Sequence, residues 1–401
     1  VFITVWLNVY DKTTHRRGIN IMIRKDIILE DTTLRDGEQA PGVAFSKETK
    51  LKIFNKLLDT GVKWIEPGIA AMGGEELDTL CAILERKDEA ILVGWNRGIR
   101  GDIATSIDLG FEAVHIGLPT SDIHLKKSVG KDRKWLIQKA SDLVKYAKDR
   151  GVYVSISAED IGRTDIPFLQ EYASAITEAG ADRLRLSDTI GILSPEEYSR
   201  RVEAVGRVSQ IDLQCHCHND FGLAVANTIA GLKAGAKYFH VCVNAMGERA
   251  GMPDLAQTSL ALKHLYGRDL KLKTDNLKEL AEIVAEASHQ PLPAWQPIVG
   301  DNVFAHESGI HVNGMLKDTV TFEPFAPEEV GNIRKYVIGK HSGRATLRSV
   351  LENFGYAIDE DMLVKCLSEV RAKAISQGKA LTPGQLCELY NTLAPASEVT
   401  K

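Results

Sequence analysis

Short β-rich runs alternate with longer segments of helical period from Ile27 to about Leu265, the pattern that repeated βα units leave around a parallel sheet. It predicts strands over Ile27–Asp31, Lys63–Pro67, Ile91–Trp95, Ala113–Gly117, Tyr153–Glu159, Arg183–Asp188, Asp212–His216 and Tyr238–Val243, each followed by a helical stretch. Ser46 with Thr49 signals the start of the first helix and Ser194-Pro195-Glu196-Glu197 that of the sixth, while Gly61, Gly110, Gly151, Gly180 and Gly235 fall where helices should stop. Eight such units close as a TIM (β/α)8 barrel. A doubly wound open sheet would carry a glycine-rich phosphate loop after its first strand, and Asp31-Thr-Thr-Leu-Arg-Asp-Gly-Glu-Gln39 is not one.

After Gly267 the alternation ends, and from Asp269 the chain reads as helix, a loop with Pro291, Pro293 and Pro297, then further helices. The expected organisation is an N-terminal appendage over 1–25, a barrel catalytic domain over 26–268, and a mainly helical C-terminal region over 269–401. A barrel of about 250 residues plus a smaller region suits the length. The first stretch, Val1–Asn20, lacks the basic-then-apolar order of a signal peptide, and Met22 is the expected start.

Composition narrows the class without naming a chemistry. The formal net charge is −5, with 49 Lys and Arg against 54 Asp and Glu, which offers nothing to nucleic acid. No run approaches the roughly 18 apolar residues needed to span a bilayer. The six cysteines are scattered, with no CxxC pair, so a reducing cytoplasm is expected.

Reacting groups of such barrels gather at the C-terminal ends of the strands, and polar residues are dense there. Strand one ends in Arg35, Asp36, Glu38 and Gln39, strand two in Glu66, strand five in Ser157 and Glu159, strand six in Asp188 and Thr189, and strand seven in His216, His218, Asn219 and Asp220. In His216-Cys217-His218, strand alternation points both imidazoles to one face. With Asp36 they would bind a divalent metal with open positions, and this donor set suits Mg²⁺, Mn²⁺, Zn²⁺ or Co²⁺ without choosing among them. Taken singly, the His pair is as compatible with core hydrogen bonding, Arg35 with a surface ion pair, and Glu159 with a surface carboxylate. Position favours Arg35 as donor to a substrate carbonyl or developing oxyanion.

Three segments, Asp31–Gln39, His216-Cys-His-Asn-Asp-Phe-Gly-Leu-Ala224 and Asn244-Ala-Met-Gly-Glu-Arg-Ala-Gly251, resemble the metal-dependent condensing enzymes that include 2-isopropylmalate, citramalate and homocitrate synthases. Asp36–Phe45, Val303–Val312 and Gly339-Lys-His-Ser-Gly343 are most similar to the nitrogen-fixation type of homocitrate synthase. The resemblance implies acetyl-CoA and 2-oxoglutarate as substrates, Asp36, His216 and His218 as metal ligands, and Arg35 polarising the ketone. It implies that Glu159 and His311 deprotonate the acetyl-CoA methyl. Gln39, Glu66, Ser157, Arg185 and Thr189 are the expected substrate-binding residues. His311 lies in the C-terminal region, which in this family covers the partner subunit's barrel, so a homodimer is expected.

Two departures stand out. Met252 occupies the place where many relatives carry a metal-binding asparagine, and a thioether is a poor ligand for a hard cation. Ser155 stands where lysine-pathway homocitrate synthases use an arginine for the distal carboxylate; Arg185, one strand over, is the expected replacement, unless it pairs with Asp182 or Glu178 outside the barrel. A 2-isopropylmalate or citramalate synthase is the alternative function, and a hydroxyacyl-CoA lyase a more remote one.

Overall fold

The computed structural model describes residues 23–393; the expected appendage up to Met22 lies outside them. Eight strands close into a parallel barrel in chain order: β1 (Ile28–Asp31), β2 (Trp64–Ile65), β3 (Ile91–Arg97), β4 (Ala113–Gly117), β5 (Tyr153–Glu159), β6 (Arg183–Asp188), β7 (Asp212–Cys217) and β8 (Tyr238–Val241). β1 pairs with both β2 and β8, which closes the ring.

Most strands fall where the alternation puts them, and the differences have local causes. β2 is cut to two residues because Pro67 offers no N–H to the ladder and Gly68 follows with φ of +159°. β8 stops at Val241 because a 3-10 turn over Val243–Ala245 follows, with Asn244 at φ +58°. The first helix, Lys47–Thr60, starts on Ser46, whose side chain accepts from the Thr49 amide, and stops on Gly61 at φ +95°. That left-handed cap is tolerated by glycine at little cost.

The outward-facing residues of the strands are apolar and pack against the helices; Val154, Ile156, Leu184, Leu186, Cys215 and Phe239 are fully buried. The inward side is different. Glu30, Arg183, Arg185, Gln214, His216 and His240 are buried there, where most barrels stack branched aliphatics. At the barrel floor the Arg183 guanidinium lies 4.6 Å from the Tyr238 ring, 5.3 Å from Trp64 and 5.7 Å from Tyr153, and its Nη1 donates to Glu30 at 2.6 Å.

Beyond the barrel, Leu277, Leu280, Val284, Val299, Phe304 and Val330 join the same apolar core. A second cluster, with Ile338, Leu347, Leu351, Leu363, Val370, Leu386 and Tyr390, knits together helices Arg344–Asn353, Glu360–Gln377 and Pro383–Leu393. Among the described residues no helix is long and apolar enough to cross a membrane.

Candidate active site

A cavity of about 180 Å³ opens at the C-terminal ends of the strands. Nine of the eleven residues expected to act in the chemistry or to bind substrate or metal line it: Arg35, Asp36 and Gln39 from the turn after β1, Ser157 and Glu159 from β5, Arg185 and Thr189 from β6 and its loop, and His216 and His218 from β7. Trp95, His115, Ser187, Glu248 and Arg249 complete the wall.

The turn after β1 is held by its own side chains. Thr33 donates to Asp31 through both its amide (2.9 Å) and its hydroxyl (3.0 Å), and the Asp36 amide donates to Thr32 Oγ1 at 3.3 Å. That clamp delivers Arg35 and Asp36 to the cavity. Arg35 is buried, so it is not in a surface ion pair: its Nε donates to Glu66 Oε1 at 2.5 Å and its Nη1 to Asp36 Oδ2 at 2.8 Å and Gln39 Oε1 at 3.0 Å. No hydrogen bond engages its Nη2 among the described residues.

Asp36, His216 and His218 converge closely enough to hold one ion. His216 Nε2 lies 3.3 Å from His218 Nε2 and 3.7 Å from Asp36 Oδ2. Burial by itself would raise the Asp36 carboxyl, but Arg35, His218 and His216 outweigh it and hold the group well below the usual carboxylate range. Burial also pushes His216 well below the usual histidine value, against the pull of Asp36. A persistent carboxylate beside an imidazole kept neutral is a donor set for a cation, and two facing ring nitrogens with a carboxylate between them fit a divalent metal. Met252 is fully buried and does not line the cavity.

Glu159 sits at the end of β5 with Ser157 Oγ donating to its Oε1 at 3.3 Å. Desolvation raises its pKa, with Ser157, Arg35 and Arg185 pulling the other way. Thr189 Oγ1 accepts from the Asp160 amide at 2.8 Å and so buttresses the β5 end.

Arg185 points into the barrel. Its Nη2 donates to Glu66 Oε2 at 2.6 Å and Glu30 Oε1 at 3.2 Å, and its Nε to Gln214 Oε1 at 2.9 Å. The expected outside alternative does not occur: Asp182 is occupied by Lys148 at 2.8 Å and by the Val154 amide at 2.7 Å. Arg185 Nη1 has no hydrogen bond among the described residues.

Two expected residues are not on the wall. Glu66 lies behind it, joining Arg35 to Arg185. His311 sits exposed on the helix Gly309–Met315, stacked on Phe322 at 4.0 Å between ring centres. The sequence reading missed Glu30, His115 and His240, although each is a polar residue at an inward position of a strand, which is the signal that would have found them.

This fold and site define a class. The chain belongs to the HMGL-like family, matching it over residues 26–284, and residues 298–378 match the homocitrate synthase post-HMGL domain-like family. It is 63% identical over 373 residues to the 2-phosphonomethylmalate synthase of Streptomyces rubellomurinus, covering 93% of this chain and 100% of that protein. It is 44% identical to 2-isopropylmalate synthase 2 of Caldanaerobacter subterraneus, over 91% of this chain and 95% of that one, and 42% identical to homocitrate synthase 1 of Nostoc, over 90% and 96%. Among solved structures, the Bacillus subtilis HMG-CoA lyase is similar in fold, with a TM-score of 0.61 at 19% identity, covering 68% of this chain and 97% of that one.

Proposed function

We propose that this chain condenses acetyl-CoA with a short 2-oxo acid that carries a second anionic group, and that the acid is 3-phosphonopyruvate. Disconnecting 2-phosphonomethylmalate at the bond a Claisen condensation makes leaves an acetyl unit and a 2-oxo acid bearing CH₂–phosphonate. The observation that carries the anionic side chain is the cavity wall. No aliphatic side chain lines it, Trp95 is its one apolar member, and Arg185 presents an unengaged Nη1 beside Ser157, its register partner on β5. An isopropyl group would meet no apolar side chain there beyond the Trp95 ring. Homocitrate formation from 2-oxoglutarate, with a role in supplying a nitrogenase cofactor, is the second reading. It is favoured by the 42% and 45% identities to the Nostoc and Frankia alni homocitrate synthases.

In the reaction, Arg35 Nη2 donates to the ketone oxygen and then to the alkoxide that forms there. Glu159 takes a proton from the acetyl methyl, and the resulting enolate carbon attacks the ketone carbon. Hydrolysis of the thioester then releases CoA. A divalent cation held by Asp36, His216 and His218 would supply Lewis-acid polarisation of the 2-oxo acid. Gln39 and Glu66 fix the Arg35 fork, Ser157 and Thr189 fix the Glu159 end of β5, and Arg185 receives the distal anion.

His311 would act from a second copy of the chain. Its helix exposes Ile310 (79%), and the neighbouring turn exposes Val320 (75%), an apolar surface suited to a homodimer in the cytoplasm. Co-expressing the His311→Ala and Glu159→Gln variants should restore activity that neither has alone; no restoration would place His311 outside a shared site.

The function is tested by CoA release with metal-loaded protein against 3-phosphonopyruvate, 2-oxoglutarate, 2-oxoisovalerate and pyruvate, with and without chelator. The expected result is preference for 3-phosphonopyruvate that vanishes on chelation. Preference for 2-oxoglutarate would install the second reading, and preference for 2-oxoisovalerate would overturn the anionic side chain.

A further inference from the structure

Behind the metal ligands lies a buried polar chain that the reaction does not use directly. Glu30 on β1 and His240 on β8 are register partners on adjacent strands, and both are fully buried. His240 Nε2 lies 2.8 Å from Glu30 Oε1, and His240 Nδ1 lies 2.9 Å from His216 Nδ1. Together with Glu66, these two residues come close enough to suggest a second cation site. Their oxygens are already taken: Glu30 accepts from Arg183 and Arg185, and Glu66 from Arg35, Arg185 and Thr32. The cluster is therefore a hydrogen-bonded support.

Its proton positions can be worked out from the fixed ends. Glu30 takes guanidinium hydrogens from Arg183 and Arg185 and so serves as an acceptor, which puts the proton facing it on His240 Nε2. The two Nδ1 atoms of His240 and His216, 2.9 Å apart, can share only one hydrogen, and an imidazole whose single proton is committed to Nε2 offers a bare Nδ1. That bare nitrogen accepts from His216 Nδ1–H. His216 is then left with a bare Nε2, the atom facing His218 Nε2 and Asp36.

We propose that His240 and Glu30 are positioning residues that lock His216 in the Nδ1–H tautomer, aiming its Nε2 lone pair at the metal. Partners of this kind orient metal-bound histidines and raise their basicity, and their loss costs about 10- to 100-fold in metal affinity. The inference rests on the metal reading of Asp36, His216 and His218 but not on the identity of the 2-oxo acid.

The test uses the full chain freed of metal. Histidine ¹⁵N chemical shifts should report His216 as the Nδ1–H tautomer in the parent protein and as a mixture in His240→Leu. Zn²⁺ affinity, measured by competition with a chromophoric chelator, should fall about 10- to 100-fold in His240→Leu. It should largely return in His240→Asn, whose Oδ1 can accept at the Nδ1 position. Glu30→Gln reads the outer link if His240→Leu does not fold, and should weaken Zn²⁺ binding in the same direction. An Nε2–H tautomer at His216 in the parent protein, or an unchanged Zn²⁺ affinity in a folded His240→Leu, overturns the proposal. A parent protein that binds no Zn²⁺ while showing the Nδ1–H tautomer would sink the metal reading and leave the hydrogen-bonded relay standing.

Discussion

Replacing Glu159 by glutamine is expected to lower kcat by about 10²- to 10⁴-fold, the range that a positioned general base contributes, while the KM for each substrate changes far less. The carboxyl ends β5, takes a hydrogen bond from Ser157, and is raised by desolvation. A raised pKa makes the carboxylate a stronger base for the weakly acidic methyl of acetyl-CoA. Because the ionised form is the active one, kcat/KM should climb with pH along an acid limb lying above the usual glutamate value. In Glu159→Gln that limb should vanish. CoA release recorded against pH for both proteins checks this, and a glutamine variant turning over at the parent rate would remove Glu159 from the chemistry.

Arg185→Met should separate substrate recognition from folding. If Nη1 holds the distal anion, the KM for the preferred 2-oxo acid rises about 10- to 100-fold, the worth of a charge-assisted hydrogen bond, and the KM for acetyl-CoA stays near its parent value. The same change strips Glu30 and Glu66 of a buried partner. Breaking a buried ion pair from one side costs about 3–5 kcal/mol, so the thermal midpoint should drop as well. Kinetics measured well below that midpoint isolate the first effect. A folded Arg185→Met with unchanged 2-oxo acid kinetics would make Arg185 a structural residue only.

The barrel was legible because its punctuation is local: a serine cap at Ser46, a stop at Gly61, then a strand. The upper rim of the site was legible for a related reason, since His216 and His218 share a face by alternation and Asp36 stands in the turn that follows β1. The middle of the barrel was not read. Glu30 looks like one more charge beside Asp31, and nothing local says that it meets Arg183 and Arg185 from the far side of the ring. Those pairings exist only once the strands close. The same holds for Glu66, whose place behind Arg35 depends on β1 and β2 being neighbours. Arg185 was expected one strand over from Ser155, whereas the register pairs Ser155 with Arg183 and Arg185 with Ser157, and its partners Glu30, Glu66 and Gln214 were beyond what the sequence spacing can give. Among the described residues His311 is not on the cavity wall, so its expected part in the chemistry rests on the proposed second copy.

The interior hydrogen bonds run from His216 through His240, Glu30, Arg185, Glu66 and Arg35 to Asp36, and the two ends, both acceptors, face each other at 3.7 Å. A nearly closed loop of this kind has a consequence for how such a barrel can diverge. Any single exchange along it strands a neighbour in the dry interior, so a lineage moving toward an uncharged 2-oxo acid has no neutral first step at these positions. The loop should be inherited or lost as a block, and engineering a new side-chain preference here calls for paired exchanges, such as Arg185 with Glu30, made together.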